Sequence, residues 1–119
     1  PQWVLIELGG NDALRGFPLS TTENNLKQMI QAAQTQKAKV LLLGMEVPPN
    51  YGPEYTRNFK QMFVRLSQQQ RIPLVPFLLK GVADGPDPTA LFQEDRIHPK
   101  AQAHPIILGN VWSVLKKWL

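Results

Sequence analysis

Three short apolar runs, each closing on a glycine, constrain this chain more than any other feature in it. Trp3-Val4-Leu5-Ile6 with Leu8 runs into Gly9-Gly10, and Val40-Leu41-Leu42-Leu43 runs into Gly44. Leu74-Val75 with Phe77-Leu78-Leu79 runs toward Gly81. Runs this short and nearly unbroken by polar residues suit strands covered on both faces, as in a parallel sheet. Pro76 removes a ladder donor from the third run and predicts an edge position or an irregularity there. Between the runs the apolar spacing changes to the helical period. Leu26, Met29, Ile30 and Ala33 mark one helix, which Ser20 and Glu23 are spaced to open as a capping box. Tyr55, Phe59, Met62, Phe63 and Leu66 mark a second, ending before Pro73. A third runs from about Pro105 to the C-terminus, with Ile107, Val111, Val114, Leu115 and Trp118 turned inward and Pro105 in its first turn. The order is strand, helix, strand, helix, strand, long loop, helix, which predicts an α/β fold with right-handed crossovers. These aromatic and methionine stripes are expected to be core.

The first strand is the least comfortable part of this scheme. Three consecutive βα units put it at an edge, where an apolar strand is an aggregation hazard. A central position explains its composition better, so further strands of the same sheet are expected upstream of Pro1. On this reading the 119 residues are the C-terminal part of a single domain that runs nearer about 180.

Composition removes several function classes. With no cysteine there is no disulfide scaffold, thiolate nucleophile or Cys-based metal site. The net charge of +4 is carried by scattered residues, Lys116-Lys117 being the only adjacent basic pair, and lacks the basic stripe of a nucleic-acid binder. The apolar runs fall far short of the roughly 20 residues that span a bilayer. No Walker lysine motif or G-x-G-x-x-G fingerprint supports nucleotide binding. His98, His104 and the nearby acids match no common zinc spacing, and no cofactor is expected.

Chemistry in open parallel sheets gathers at the carboxyl ends of the strands. The first run ends in Gly9-Gly10-Asn11-Asp12. The glycines permit a sharp turn, and the Asn11 amide is a neutral, directional donor suited to an oxyanion. The same four residues also suit an Asx turn. Glu94-Asp95-Arg96-Ile97-His98-Pro99 lies in the aperiodic stretch from Gly81 to Lys100. Asp95 can accept from Nδ1–H of His98 and leave Nε2 free as a base, or it can serve as a surface link or helix-entry cap. His104, beside Pro105, reads as structural or exposed. No serine completes the set. Ser20 is a cap, while Ser67 and Ser113 lie on helices, so none sits on a strand-to-helix turn.

Gly9-Gly10-Asn11-Asp12 followed by Asp95-Arg96-Ile97-His98-Pro99 resembles the last two blocks of the SGNH (GDSL-type) hydrolases. The likeness is nearest the bacterial thioesterase I, lysophospholipase and arylesterase group. Leu8 to Phe17, Pro49 to Gly52 and Pro73 to Phe77 extend it over essentially the whole chain. It implies a three-layer α/β/α sandwich with a flavodoxin-like parallel sheet, and hydrolysis of acyl esters or thioesters. Carried over, Asn11 is the side-chain oxyanion donor, Gly10 permits its turn, His98 is the base and Asp95 orients it. The family's Gly-Asp-Ser block, with the nucleophile, and the block supplying an oxyanion-hole glycine do not occur here. Both are expected upstream of Pro1, on a segment this chain would partner. Leu14 and Phe17 are expected to line an acyl groove, with Val47, Pro48, Pro49 and Tyr51 as further candidates. Arg15 and Arg96 are candidates for an anionic head group. The resemblance also implies a periplasmic or secreted protein. The alternatives are a carbohydrate acetylesterase of the same family, a noncatalytic fragment that complements another chain, and a flavodoxin-like binding module.

Overall fold

A computed structural model describes residues 2–9, 18–47, 51–83, 90–94 and 99–119. Three strands, β1 (Trp3–Ile6), β2 (Lys39–Leu43) and β3 (Leu74–Val75), form one sheet in the order β1-β2-β3. Both pairings are parallel, with Val4 opposite Val40 and Leu42 opposite Leu74. Three helices, α1 (Leu19–Thr35), α2 (Pro53–Gln70) and α3 (His104–Leu115), accompany them, α3 being preceded by a 3₁₀ turn over Ala101–Ala103.

Side chains alternate across the sheet with period two. Val40 and Leu42 enter one core with Ile6, Leu26 and Ile30 of α1, and Phe59, Met62, Phe63 and Leu66 of α2. Leu41, Leu43 and Val75 enter a second core, against Ile107, Val111, Val114 and Leu115 of α3. The layers are therefore α1 and α2, the sheet, and α3, which is the expected α/β/α sandwich. β2 is buried along four of its five residues, as its unbroken apolar composition requires. Phe59 and Phe63 stack edge-on at 5.3 Å within the first core.

Four expectations need correction. The third apolar run is not one strand: β3 holds only Leu74–Val75, and Leu78 to Ala83 are turns. Pro76 cannot donate to β2, and the chain instead returns over Gly44, where Leu78 N–H donates to Gly44 O at 2.9 Å. The capping box does not form. The helix starts at Leu19, behind Pro18, without a side-chain cap, and Glu23 accepts hydrogen bonds from Arg65 on α2 instead. Met29 is exposed, the buried stripe of α1 being Thr22, Leu26 and Ile30. Trp118 lies past the end of α3 and is half exposed.

Candidate active site

The three strands run parallel, so β1, β2 and β3 deliver their following segments to the same end of the sheet. Gly9 leaves β1 with φ +112°, and a Cβ there would meet Thr22, Leu26 and Phe63 at van der Waals distance. A left-handed backbone of this kind suits glycine. Gly44 leaves β2 so close to the next crossing that a Cβ there would stand 2.4 Å from the Pro76 carbonyl oxygen. Gly44 N–H donates to Val75 O at 2.7 Å, locking the two strand ends together. The glycines that end the first two runs thus shape the surface on which a site would be built.

Gly10, Asn11, Leu14, Arg15 and Phe17 follow β1 but lie outside the described residues. So do Pro48, Pro49, Asp95, Arg96 and His98. Described residues bracket Asp95 and His98. Phe92 and Pro99 form an antiparallel bridge, and Lys100 N–H donates to Leu91 O at 2.7 Å. Among the remaining candidates, Val47 is buried in the first core, while Tyr51 is partly buried against that core and packs near Tyr55. His104 is the exposed first residue of α3.

Ser67 and Ser113 lie on helices as expected, whereas Ser20 is inside the first turn of α1 and not its cap. Ser20 lies near the start of α1, Ser67 Oγ donates to Val64 O at 2.8 Å, and Ser113 Oγ donates to Asn110 O at 3.0 Å. All three belong to helices, and none is presented on a strand-to-helix turn.

Sequence reasoning did not single out the polar work of Asn110. Its Nδ2 donates to Leu78 O at 2.9 Å and to Lys80 O at 2.8 Å, tying α3 to the turn after β3. An asparagine inside an otherwise apolar helix was the available signal. An open cleft of about 440 Å³ beside it is lined by Glu46, Lys60, Pro76, Phe77, Lys80 and Asn110. Lys60 and Glu46 pair across it at 3.5 Å. The Arg65 guanidinium hydrogen-bonded to Glu23 holds that carboxyl below its usual range. Among the described residues no group of three or more His, Cys, Asp or Glu could hold a metal ion, and no helix is long and apolar enough to cross a membrane.

Large apolar side chains remain on the surface at several places, among them the β1 segment and α3. Leu5 on β1 is 46% exposed, and Leu8, just past its end, 52%. On α3, Leu108 is 67% and Trp112 50% exposed. Leu5 shares the sheet face of Trp3, which packs on the α3 side.

Comparison with known proteins is consistent with this fold. The chain is 45% identical over 119 residues to Esterase TesA of Pseudomonas aeruginosa, spanning all of this chain and 58% of that protein. It is 40% identical over 107 residues to Thioesterase 1/protease 1/lysophospholipase L1 of Escherichia coli (strain K12), covering 90% of this chain and 50% of the relative. The Arylesterase of Vibrio mimicus is 40% identical over 119 residues, all of this chain and 58% of its own length. The chain therefore spans little more than half of these relatives. The crystal structure of TesA superposes with a TM-score of 0.91 at 45% identity, covering 100% of this chain and 64% of that one. A psychrotrophic esterase EstA from Pseudoalteromonas sp. superposes with a TM-score of 0.87 at 36% identity, covering 99% and 63%. Residues 1–106 match the GDSL-like Lipase/Acylhydrolase family, and the chain belongs to that family.

Proposed function

We propose that this chain supplies the acid–base and part of the oxyanion-binding half of a serine esterase or thioesterase. The observation that carries the reading is the order Gly10-Asn11-Asp12 after β1 and Asp95-x-x-His98 before α3, within a stretch matching the family. The nucleophilic serine is proposed to come from polypeptide outside these 119 residues, as part of the same domain. Exposed Leu5 on β1, Leu8 just after it, and Leu108 and Trp112 on α3 support such a covering segment.

In this reading the serine Oγ attacks the acyl carbonyl carbon while its proton passes to His98 Nε2. Asp95 accepts from Nδ1–H and steadies the imidazolium. The Asn11 amide, with backbone N–H groups, receives the negative charge that develops on the carbonyl oxygen. The C–O or C–S bond breaks as His98 returns its proton to the leaving group. Water then attacks the acyl-enzyme, giving one proton to His98, and that proton restores the serine as the acid departs. Every group used is a side chain or backbone amide. Leu14 and Phe17 are the residues proposed to meet the acyl chain, Gly10 the one that lets Asn11 turn, and Arg15 and Arg96 the candidates for an anionic head group.

The names of the relatives support aryl esters, acyl thioesters and lysophospholipids as the substrate classes to try first. The same likeness motivates a periplasmic or secreted location, which cell fractionation tests. The experiment on function uses the full-length polypeptide and p-nitrophenyl esters across acyl lengths. His98→Ala should abolish turnover, and Asn11→Ala should lower kcat by about 10²–10³ with the fold intact. The 119-residue segment alone should hydrolyse none of them. Undiminished hydrolysis by His98→Ala overturns the assignment.

A further inference from the structure

Asp95 and His98 lie in a segment whose two ends are tied by described residues. Phe92 and Pro99 form an isolated antiparallel bridge. Lys100 N–H donates to Leu91 O at 2.7 Å, and Gln93 Nε2 donates to Pro99 O at a longer 3.4 Å. Pro99 is covalently next to His98, and Gln93 is two residues before Asp95. Whatever fixes this stem fixes the point from which the acid–base pair is presented.

The stem is held by a third apolar cluster, distinct from the two that sandwich the sheet. Phe92, Val82 and Ala103 are its buried members, with Leu79, Ala83, Leu91 and Ile107 packed around them. They come from four stretches of chain. Leu79 to Ala83 enter the long loop, Leu91 and Phe92 form one side of the stem, Ala103 follows the other side, and Ile107 belongs to α3. Phe92 belongs to neither sheet core. Phe92 is 8% exposed, although the element it serves is only a bridge between two single residues. Burying an aromatic at the base of a short loop removes freedom from the loop without adding to the sheet.

We infer that Phe92 is a positioning residue: its burial against Val82 and Ala103 pins the Phe92–Pro99 stem that flanks Asp95 and His98 in the chain, and the acid–base step proposed for those two residues depends on that anchorage. The inference rests on the roles proposed above for Asp95 and His98. Proton transfer in acyl transfer requires hydrogen-bond reach, and a misplacement of about 1 Å can cost on the order of 10²-fold in rate. Phe92→Ala removes the ring and leaves the backbone bridge, so the stem loosens while the sheet cores stay filled.

The test compares full-length unsubstituted protein, Phe92→Ala, Phe92→Leu and His98→Ala on a p-nitrophenyl ester. Active sites are counted by burst titration with a nitrophenyl phosphonate, which divides out any unfolded fraction. Phe92→Ala should lower kcat per titrated site by about 10- to 100-fold with KM within about twofold, because the loss falls on the chemical step. Phe92→Leu, which refills the cluster, should recover most of it. An inactive His98→Ala beside a Phe92→Ala with unchanged kcat per site overturns the positioning role alone. So does a Phe92→Leu no better than Phe92→Ala. A His98→Ala with undiminished hydrolysis overturns the proposed acid–base roles, and the positioning role with them.

Discussion

Gly44→Ala tests how tightly the ends of β2 and β3 are joined. A Cβ on Gly44 would stand 2.4 Å from the Pro76 carbonyl oxygen and 2.8 Å from that of Val75. Gly44 is not among the glycines with positive φ, so the cost is steric, not torsional. Both obstructing atoms are backbone, and no rotamer change relieves them. Bringing the nearer contact out to 3.0 Å takes a shift of 0.6 Å. Along the bonds Gly44 N–H to Val75 O, at 2.7 Å, and Leu78 N–H to Gly44 O, at 2.9 Å, that shift reaches or passes the limit of a good hydrogen bond. Val75 is 2% exposed, so water cannot readily replace what is lost. Overpacking at about 1–3 kcal/mol, with one weakened bond at about 1 kcal/mol, gives roughly 2–4 kcal/mol in all. At about 3–5 °C per kcal/mol for a domain of this size, Tm falls by roughly 6–20 °C. The assay is thermal and urea unfolding of the full-length polypeptide by circular dichroism. Gly109→Ala is the control: its Cβ meets nothing within 4 Å on α3, so it should gain up to about 1 kcal/mol. A Gly44→Ala protein within about 0.5 kcal/mol of the unsubstituted one refutes the steric argument.

Three further outcomes are expected. Asn110→Ala strands the Leu78 and Lys80 carbonyls and should cost about 1–3 kcal/mol in urea unfolding, with Asn110→Asp no better because a carboxylate cannot donate. Glu23 has its carboxyl lowered by Arg65 from the model-compound value of 4.5, so its contribution is present above about that pH and is lost as pH falls through the lower folded value. In Arg65→Ala that acid-side loss should shrink, by less than about 1 kcal/mol because the pair is partly open to solvent, as a series of urea titrations below pH 5 would show. Leu5→Lys should cost about 1–3 kcal/mol in the full-length polypeptide if a further segment covers β1, and a stability unchanged by this substitution would mean that Leu5 stays uncovered there.

Much of the fold is legible from short-range chemistry. The strand β2 follows from four consecutive aliphatic residues between Lys39 and Gly44, and α2 from the stripe Phe59, Met62, Phe63 and Leu66, because burial on both faces and burial on one face leave different periods. The site is legible differently. Asn11, Asp95 and His98 are readable as a set only by their order and by resemblance, since Asp-x-x-His alone also describes a cap. Phe92 and Asn110 escape because their roles exist only through partners distant in the chain: Val82 and Ala103 for one, Leu78 and Lys80 for the other.

What the sequence by itself determines is the alternation of strand and helix, the parallel sense of the sheet, and the glycines that end the strands. Each depends on residues within one turn or one strand of each other. Tertiary structure decides the rest. β3 stops at Val75 because the chain must cross Gly44 after Pro76, where a proline offers β2 no donor. The capping box is lost because α1 already starts at Leu19, which puts Ser20 inside the helix, and Glu23 pairs instead with Arg65, 42 residues away. Trp118 and Met29 fall on the solvent side because α3 ends at Leu115 and α1 meets α2 through Leu26 and Ile30. Periodicity tells a helix that it has an apolar face. Only the packed neighbours decide how wide that face is and where it ends.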